Sequence, residues 1–137
     1  MTYEFFEHTA DLGLRIRADN LAELMEEAAR ALFAAIVVNL DGIREVETAQ
    51  FAIEADRPDD LLRDWLAELL YAFHADHRLF AAFEVNLDGN RLEATTRGEP
   101  IDPARHEIDV EIKAVTYHGL RVERDGEGWL AEVIVDL

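Results

Sequence analysis

At 137 residues, with half of them hydrophobic and no cysteine, the chain can close one core unaided and can form no disulfide, thiolate metal site or cysteine nucleophile. Thirty acidic against 13 basic residues leave a net charge of −17, which disfavours direct binding to DNA or RNA and favours cations and basic protein partners. No apolar run reaches bilayer length and the start Met-Thr-Tyr-Glu-Phe lacks a basic signal region, so a cytoplasmic protein without a membrane partner is expected.

Residues 3–7 read as a strand, and Leu12, Leu14 and Ile16 alternating with Arg15 and Arg17 read as the next. Between them stands the polar corner His8-Thr9-Ala10-Asp11-Leu12-Gly13. Such residues prefer turns to strand interiors, so the corner is either a hairpin held by Thr9 and Asp11 or a ligand-bearing site. In the second case Asp11 is a cation ligand or His8 an acid/base.

Asp19-Asn20 caps an amphipathic helix of about five turns, with Leu21, Leu24, Met25, Ala28, Leu32 and Ile36 on one face and Glu23, Glu26, Glu27 and Arg30 on the other. Residues 44–55 alternate weakly through Val46, Phe51 and Ile53. A second helix starts at Asp56-Arg57-Pro58, with Asp56 as its expected cap and Leu62, Trp65, Leu66, Leu69, Leu70 and Phe73 as its stripe. It ends near residues 74–78, where basic side chains suit the carbonyl end.

From Phe80 the period becomes two. Residues 80–87 and 92–97 form a hairpin about Asp88-Gly89-Asn90, and residues 98–105 form a loop with two prolines. Ile108, Val110, Ile112, Ala114 and Thr116 then alternate with polar positions, and two further strands follow, turning at Gly119 and at residues 125–128. The order implies a single α+β domain over residues 1–137, of two layers: two amphipathic helices on a mainly antiparallel sheet.

Few residue sets can carry chemistry. Serine is absent as well as cysteine, so nucleophilic triads have only threonine, and the seven glycines are scattered through turns. His74, Asp76 and His77 could bind a transition metal, but at a helix end they read more readily as dipole-compensating surface residues. Asp11 opens one strand, while Asp136 and the α-carboxylate of Leu137 close another. A fold that joins those strand ends would make a hard-cation site of oxygen ligands. Of 13 basic residues, 12 are arginine and Lys113 is the only lysine, an ammonium point charge that suits a phosphate, a partner or a cross-strand salt bridge.

Five blocks together resemble the archease family: Phe6-Glu7-His8-Thr9-Ala10-Asp11-Leu12-Gly13; the run from Leu61 to Tyr71; Gly98-Glu99-Pro100-Ile101-Asp102; Glu111-Ile112-Lys113-Ala114-Val115-Thr116-Tyr117-His118; and Val133-Ile134-Val135-Asp136-Leu137. The resemblance spans nearly the whole chain. It implies a non-enzymatic activator of the RtcB-type tRNA-splicing RNA ligase, which promotes guanylylation of the ligase histidine, multiple turnover and broader nucleotide use. It implies tRNA only as the ligase's substrate, and calcium as the divalent metal on Asp11, Asp136 and Leu137, where an isoleucine is common at the last position. Lys113 falls on a functional lysine of the family, and His8, Thr9, Thr116 and His118 are expected to shape the site. Two rivals stand beside this reading. One is a chaperone-like interaction module using the Leu/Trp-rich helix. The other is a metal-dependent phosphoesterase with His8 or His118 as acid/base.

Overall fold

The computed structural model describes residues 1–8 and 11–137, without the side chain of His8. In chain order the elements are β1 (Thr2–His8), β2 (Asp11–Ala18), α1 (Leu21–Ile36), a short 3₁₀ turn (Leu40–Gly42), β3 (Glu47–Glu54), α2 (Pro58–Asp76), β4 (Arg78–Asp88), β5 (Arg91–Pro100), β6 (Ala114–Val115), β7 (Arg121–Asp125) and β8 (Gly128–Asp136). The α+β class with two helices and antiparallel strands holds. The strands divide between two sheets: β1-β2-β8-β6, with β7 also on β8, and β3-β5-β4.

Helix α1 is more than a one-sided amphipathic helix. Besides the expected stripe, Ala29, Ala31, Phe33 and Ala35 are buried, because the helix packs on β2 on one side and on β4 on another. Alanines let both sheets approach closely. Two side chains of α1 also satisfy the outer edge of β4: Glu26 accepts the Val85 N–H at 2.8 Å and Arg30 donates to the Ala81 carbonyl at 3.4 Å. A sheet edge that would otherwise offer unpaired groups is thereby covered. Asn20 caps α1 as expected, accepting the Glu23 N–H at 2.9 Å.

The apolar stripe of α2 is committed to the core. Leu62, Trp65, Leu66 and Leu69 have no exposed surface, and the Trp65 indole N–H donates to the Met25 carbonyl of α1 at 2.9 Å. That removes the stripe as a surface for partners. Asp56 is not the cap; Arg57 holds that position without a side-chain bond, and Pro58 opens the helix. A proline there supplies a preset φ and needs no N–H partner, so the start stands without a capping carboxylate. His77 ends the helix in the left-handed conformation, with φ 53°.

Two strand readings are corrected. Val46 lies outside β3 and is 69% exposed, leaving Ala49, Phe51 and Ile53 as the inward set. The long strand expected over residues 108–116 is mostly irregular, reduced to a bridge between Val37 and Ile108 and the two residues of β6. Its inward side chains are Ile112 and Val115, three apart, so the two-residue period breaks between them. A similar break in β4 is a bulge at Ala81, which lets Phe80 and Phe83 both reach Phe33, with ring centroids 5.6 and 5.9 Å away.

Candidate functional site

Four backbones converge at one end of the larger sheet. His8 of β1 pairs with Asp11 of β2, Asp11 pairs with Asp136 of β8, and Asp136 pairs with Ala114 of β6. Residues directly opposed across an antiparallel ladder share a face, so Asp11 and Asp136 occupy adjoining positions on one face although 125 positions separate them in sequence. Lys113 is tied to the same spot, its N–H donating to the Asp136 carbonyl at 2.7 Å. Leu137 follows at 38% exposure.

Thr116 anchors the chain that leaves this corner. Its N–H and its hydroxyl both donate to the Ile134 carbonyl, at 3.0 and 2.9 Å, and its hydroxyl oxygen accepts the His118 N–H at 3.2 Å. His118 itself is exposed. Thr9 lies outside the described residues, and for His8 only the backbone pairing is described. Among the described residues Lys113 makes no ion pair, so the cross-strand salt bridge that the sequence allowed does not form there.

The donor set suits a hard cation. Asp11 and Asp136 offer carboxylate oxygens and no sulfur or imidazole is needed, as calcium or magnesium requires. Among the described residues no group of three or more histidine or acidic side chains is placed to hold a metal ion by itself. Calcium takes about six to eight oxygens, so main-chain carbonyls, water or groups from a partner must complete the shell. The corner fits an open site, not a closed cage. His74, Asp76 and His77 form no such group; His74 turns its Nε2 to the Ile112 carbonyl at 2.7 Å.

Farther along the same face, charge is already balanced. Glu4, Arg15, Glu132 and Arg121 follow one another across β1, β2, β8 and β7, each ion-paired to the next. Burial works to raise the Glu132 carboxyl, but Arg121 and Arg15 outweigh it and hold that carboxyl below its usual range. The Phe6 ring covers Gly13 so closely that an added Cβ would lie 2.3 Å from it, and Arg15 stacks on that ring at 4.7 Å. These arginines are engaged with glutamates rather than with the aspartate corner.

Comparison with known proteins fixes the lineage. The model of the Archease protein family (MTH1598/TM1083) matches residues 3–137. The chain belongs to the archease family. It is 41% identical to the protein archease of Methanopyrus kandleri over 100% of both chains, and 36% identical to that of Pyrococcus abyssi over 98% of both. Among solved structures it is similar to Methanobacterium thermoautotrophicum protein 1598, with a TM-score of 0.85 and 32% identity over 98% of each chain. It is also similar to an archease, possible chaperone, from Thermotoga maritima, with a TM-score of 0.69 and 26% identity over 100% of this chain and 98% of that one. No helix among the described residues is long and apolar enough to cross a membrane.

The archease-like block Gly98-Glu99-Pro100-Ile101-Asp102 has a physical role that the sequence did not disclose. Glu99 is 5% exposed, accepts the Arg44 N–H at 2.6 Å and the His106 Nε2–H at 3.0 Å, and is paired with Arg105. The Asp102 N–H donates to His106 Nδ1 at 2.8 Å, which places the ring proton on Nε2. Burial pushes the Glu99 carboxyl up; the Arg44 N–H, His106 and Arg105 together pull it further down, so its net position is below the usual range. A depressed carboxyl stabilises the fold above its unfolded-state pKa and loses that contribution as pH falls through the folded value. Acid titration of the wild type should therefore show stability lost below about pH 5, and Glu99→Gln should start about 3 kcal/mol less stable and fall less steeply over that window. Equal slopes in urea unfolding at stepped pH would refute this. The only sequence signal was a glutamate and a histidine flanking a loop with two prolines.

Proposed function

We propose that this archease-family protein is a non-enzymatic activator of an RtcB-type tRNA-splicing RNA ligase. It promotes guanylylation of the ligase's active-site histidine, permits multiple turnover and broadens nucleotide use, acting in the cytoplasm and meeting tRNA only through the ligase. The reading is carried by one observation: Asp11 and Asp136 are opposed at a sheet end beside Lys113, in a chain of this family.

Asp11, Asp136 and the main-chain oxygens around Leu137 would hold a divalent cation, calcium by preference for an all-oxygen, flexible site. Such an ion supplies positive charge that phosphate oxygens can share. Lys113 adds a compact ammonium beside them, able to stabilise charge that grows during transfer of a nucleotidyl group. The −17 surface steers the protein to a basic, RNA-binding ligase and keeps it from competing for RNA. The chaperone-like alternative takes support from the Thermotoga maritima relative's description as a possible chaperone; with the α2 stripe buried it would rest on the exposed face of that helix, where Tyr71 is 67% exposed.

The test is ligation with substrate RNA in large excess over an RtcB-type ligase, with and without this protein. Stimulation of turnover at least about tenfold is expected, falling toward the unstimulated rate with Lys113→Ala. No stimulation by the wild-type protein would overturn the reading.

A further inference from the structure

We infer that helix α2 sets the position of Lys113: His74 and Arg63 are positioning residues that grip the backbone on either side of it. The role, though not the grip, rests on reading Lys113 as the working charge.

The segment 112–116 is held along both of its edges. Toward β8, the Lys113 N–H donates to the Asp136 carbonyl at 2.7 Å and the Thr116 N–H donates to the Ile134 carbonyl at 3.0 Å. Toward α2, the Ile112 carbonyl accepts from His74 Nε2 at 2.7 Å, and the Val115 carbonyl accepts from Arg63 Nε at 3.2 Å. The two captured carbonyls bracket Lys113 and Ala114. They are also the carbonyls of the two inward residues, Ile112 at 0% and Val115 at 3% exposure. An undisturbed strand would turn Ala114 inward after Ile112. Here the period breaks, and Lys113 and Ala114 are both exposed. The four hydrogen bonds fix that break in place.

His74 and Arg63 differ from residues that merely fill space. His74 is exposed, and its ring meets that of its neighbour Phe73 edge-on, at 5.1 Å between centroids. A carbonyl partner can only accept, so the bond places a proton on His74 Nε2. Arg63 is itself held, by Asp64 at 3.1 Å and by the Tyr117 ring at 4.6 Å, so its Nε arrives preorganised. Between helix and segment lies a cleft of about 230 Å³, lined by Arg63, Tyr71, His74 and Lys113. His74 is exposed, so its loss costs little buried surface, whereas the Arg63 side chain is only 26% exposed and its loss also removes packing; either loss frees the backbone that aims the ammonium. An error of about 1 Å in aim is enough to lose much of a charge's effect on a reacting group.

Because Lys113 is the only lysine, protein labelled with ¹⁵N-lysine gives a single backbone amide signal, at the point in question. In His74→Leu and Arg63→Ala that signal should shift and exchange with solvent about tenfold faster. His74→Gln, whose amide N–H₂ can still reach the Ile112 carbonyl, should restore wild-type protection. In ligation assays the leucine and alanine variants should lower the maximal stimulation several-fold while leaving the protein concentration for half-maximal effect unchanged, and the glutamine variant should recover it. An unaltered Lys113 amide in both variants overturns the grip. A loosened amide with full stimulation overturns the positioning role. Full stimulation by Lys113→Ala instead removes the reading of the lysine itself, and the amide measurement stands apart from that result.

Discussion

Asp136→Asn is expected to weaken calcium binding at least about tenfold and to abolish most of the ligase stimulation, without destabilising the fold. The last clause separates a ligand from a structural acid. Asp136 and Asp11 occupy directly opposed positions on β8 and β2. Like charges so placed repel, so removing one should leave apo stability unchanged or raise it by about 0.5 kcal/mol. Titration calorimetry with calcium and urea unfolding in chelator measure the two effects on the same protein. Undiminished calcium affinity would remove Asp136 from the site. Weakened affinity accompanied by a large loss of apo stability would make it a structural acid instead.

Gly98→Val should unfold or severely destabilise the protein, by about 4 kcal/mol or more, beyond the usual range for overpacking. A Cβ at Gly98 would lie 1.8 Å from the Leu79 carbonyl oxygen and 2.8 Å from the Phe80 Cα. Both are backbone atoms at the bulge of β4, so neither can swing aside. Gly89 is the control. It has φ +61° at a hairpin turn and nothing within 4 Å, so Gly89→Ala should cost only about 1 kcal/mol, through backbone strain. Urea unfolding of the two variants should rank them in that order. Comparable losses would show that the tight approach at the bulge carries no special weight.

The sequence disclosed what depends on period and on turn chemistry. Leu62, Trp65, Leu66, Leu69, Leu70 and Phe73 recur at helical spacing, and all are buried on α2. The hairpin at Gly89-Asn90 falls where the turn residues put it, because strand register there is local. What failed depends on contacts between distant parts. Whether strands join one sheet or two is decided by how helices wedge between them, and α1, buried on several sides by small alanines, is that wedge. The irregular run before β6 failed for the same reason: carbonyl capture by His74 and Arg63, 38 and 52 positions away, overrides an alternating pattern. For the site, Asp11 and Asp136 could be nominated as strand ends, but only long-range pairing puts them opposite each other. Glu99 with His106 left only a faint signal, a glutamate and a histidine flanking a loop with two prolines, since burial of a carboxylate leaves no mark in composition.

The pairing of β2 with β8 also has a clock in it. Arg15 and Glu132 are 117 residues apart, whereas the smaller sheet lies wholly within residues 47–100. At usual rates of synthesis roughly ten seconds pass between the making of these two strands. During that interval the β1–β2 hairpin has no neighbour on its second edge, and Asp11 faces no carboxylate. The smaller sheet and both helices can assemble first, and β8 then enters as the central strand of a partly built body. That slow, non-local closure exposes an open strand edge to other chains. The aspartate corner cannot exist before β8 is made and paired with β2, so a chain that stops short of β8 lacks it.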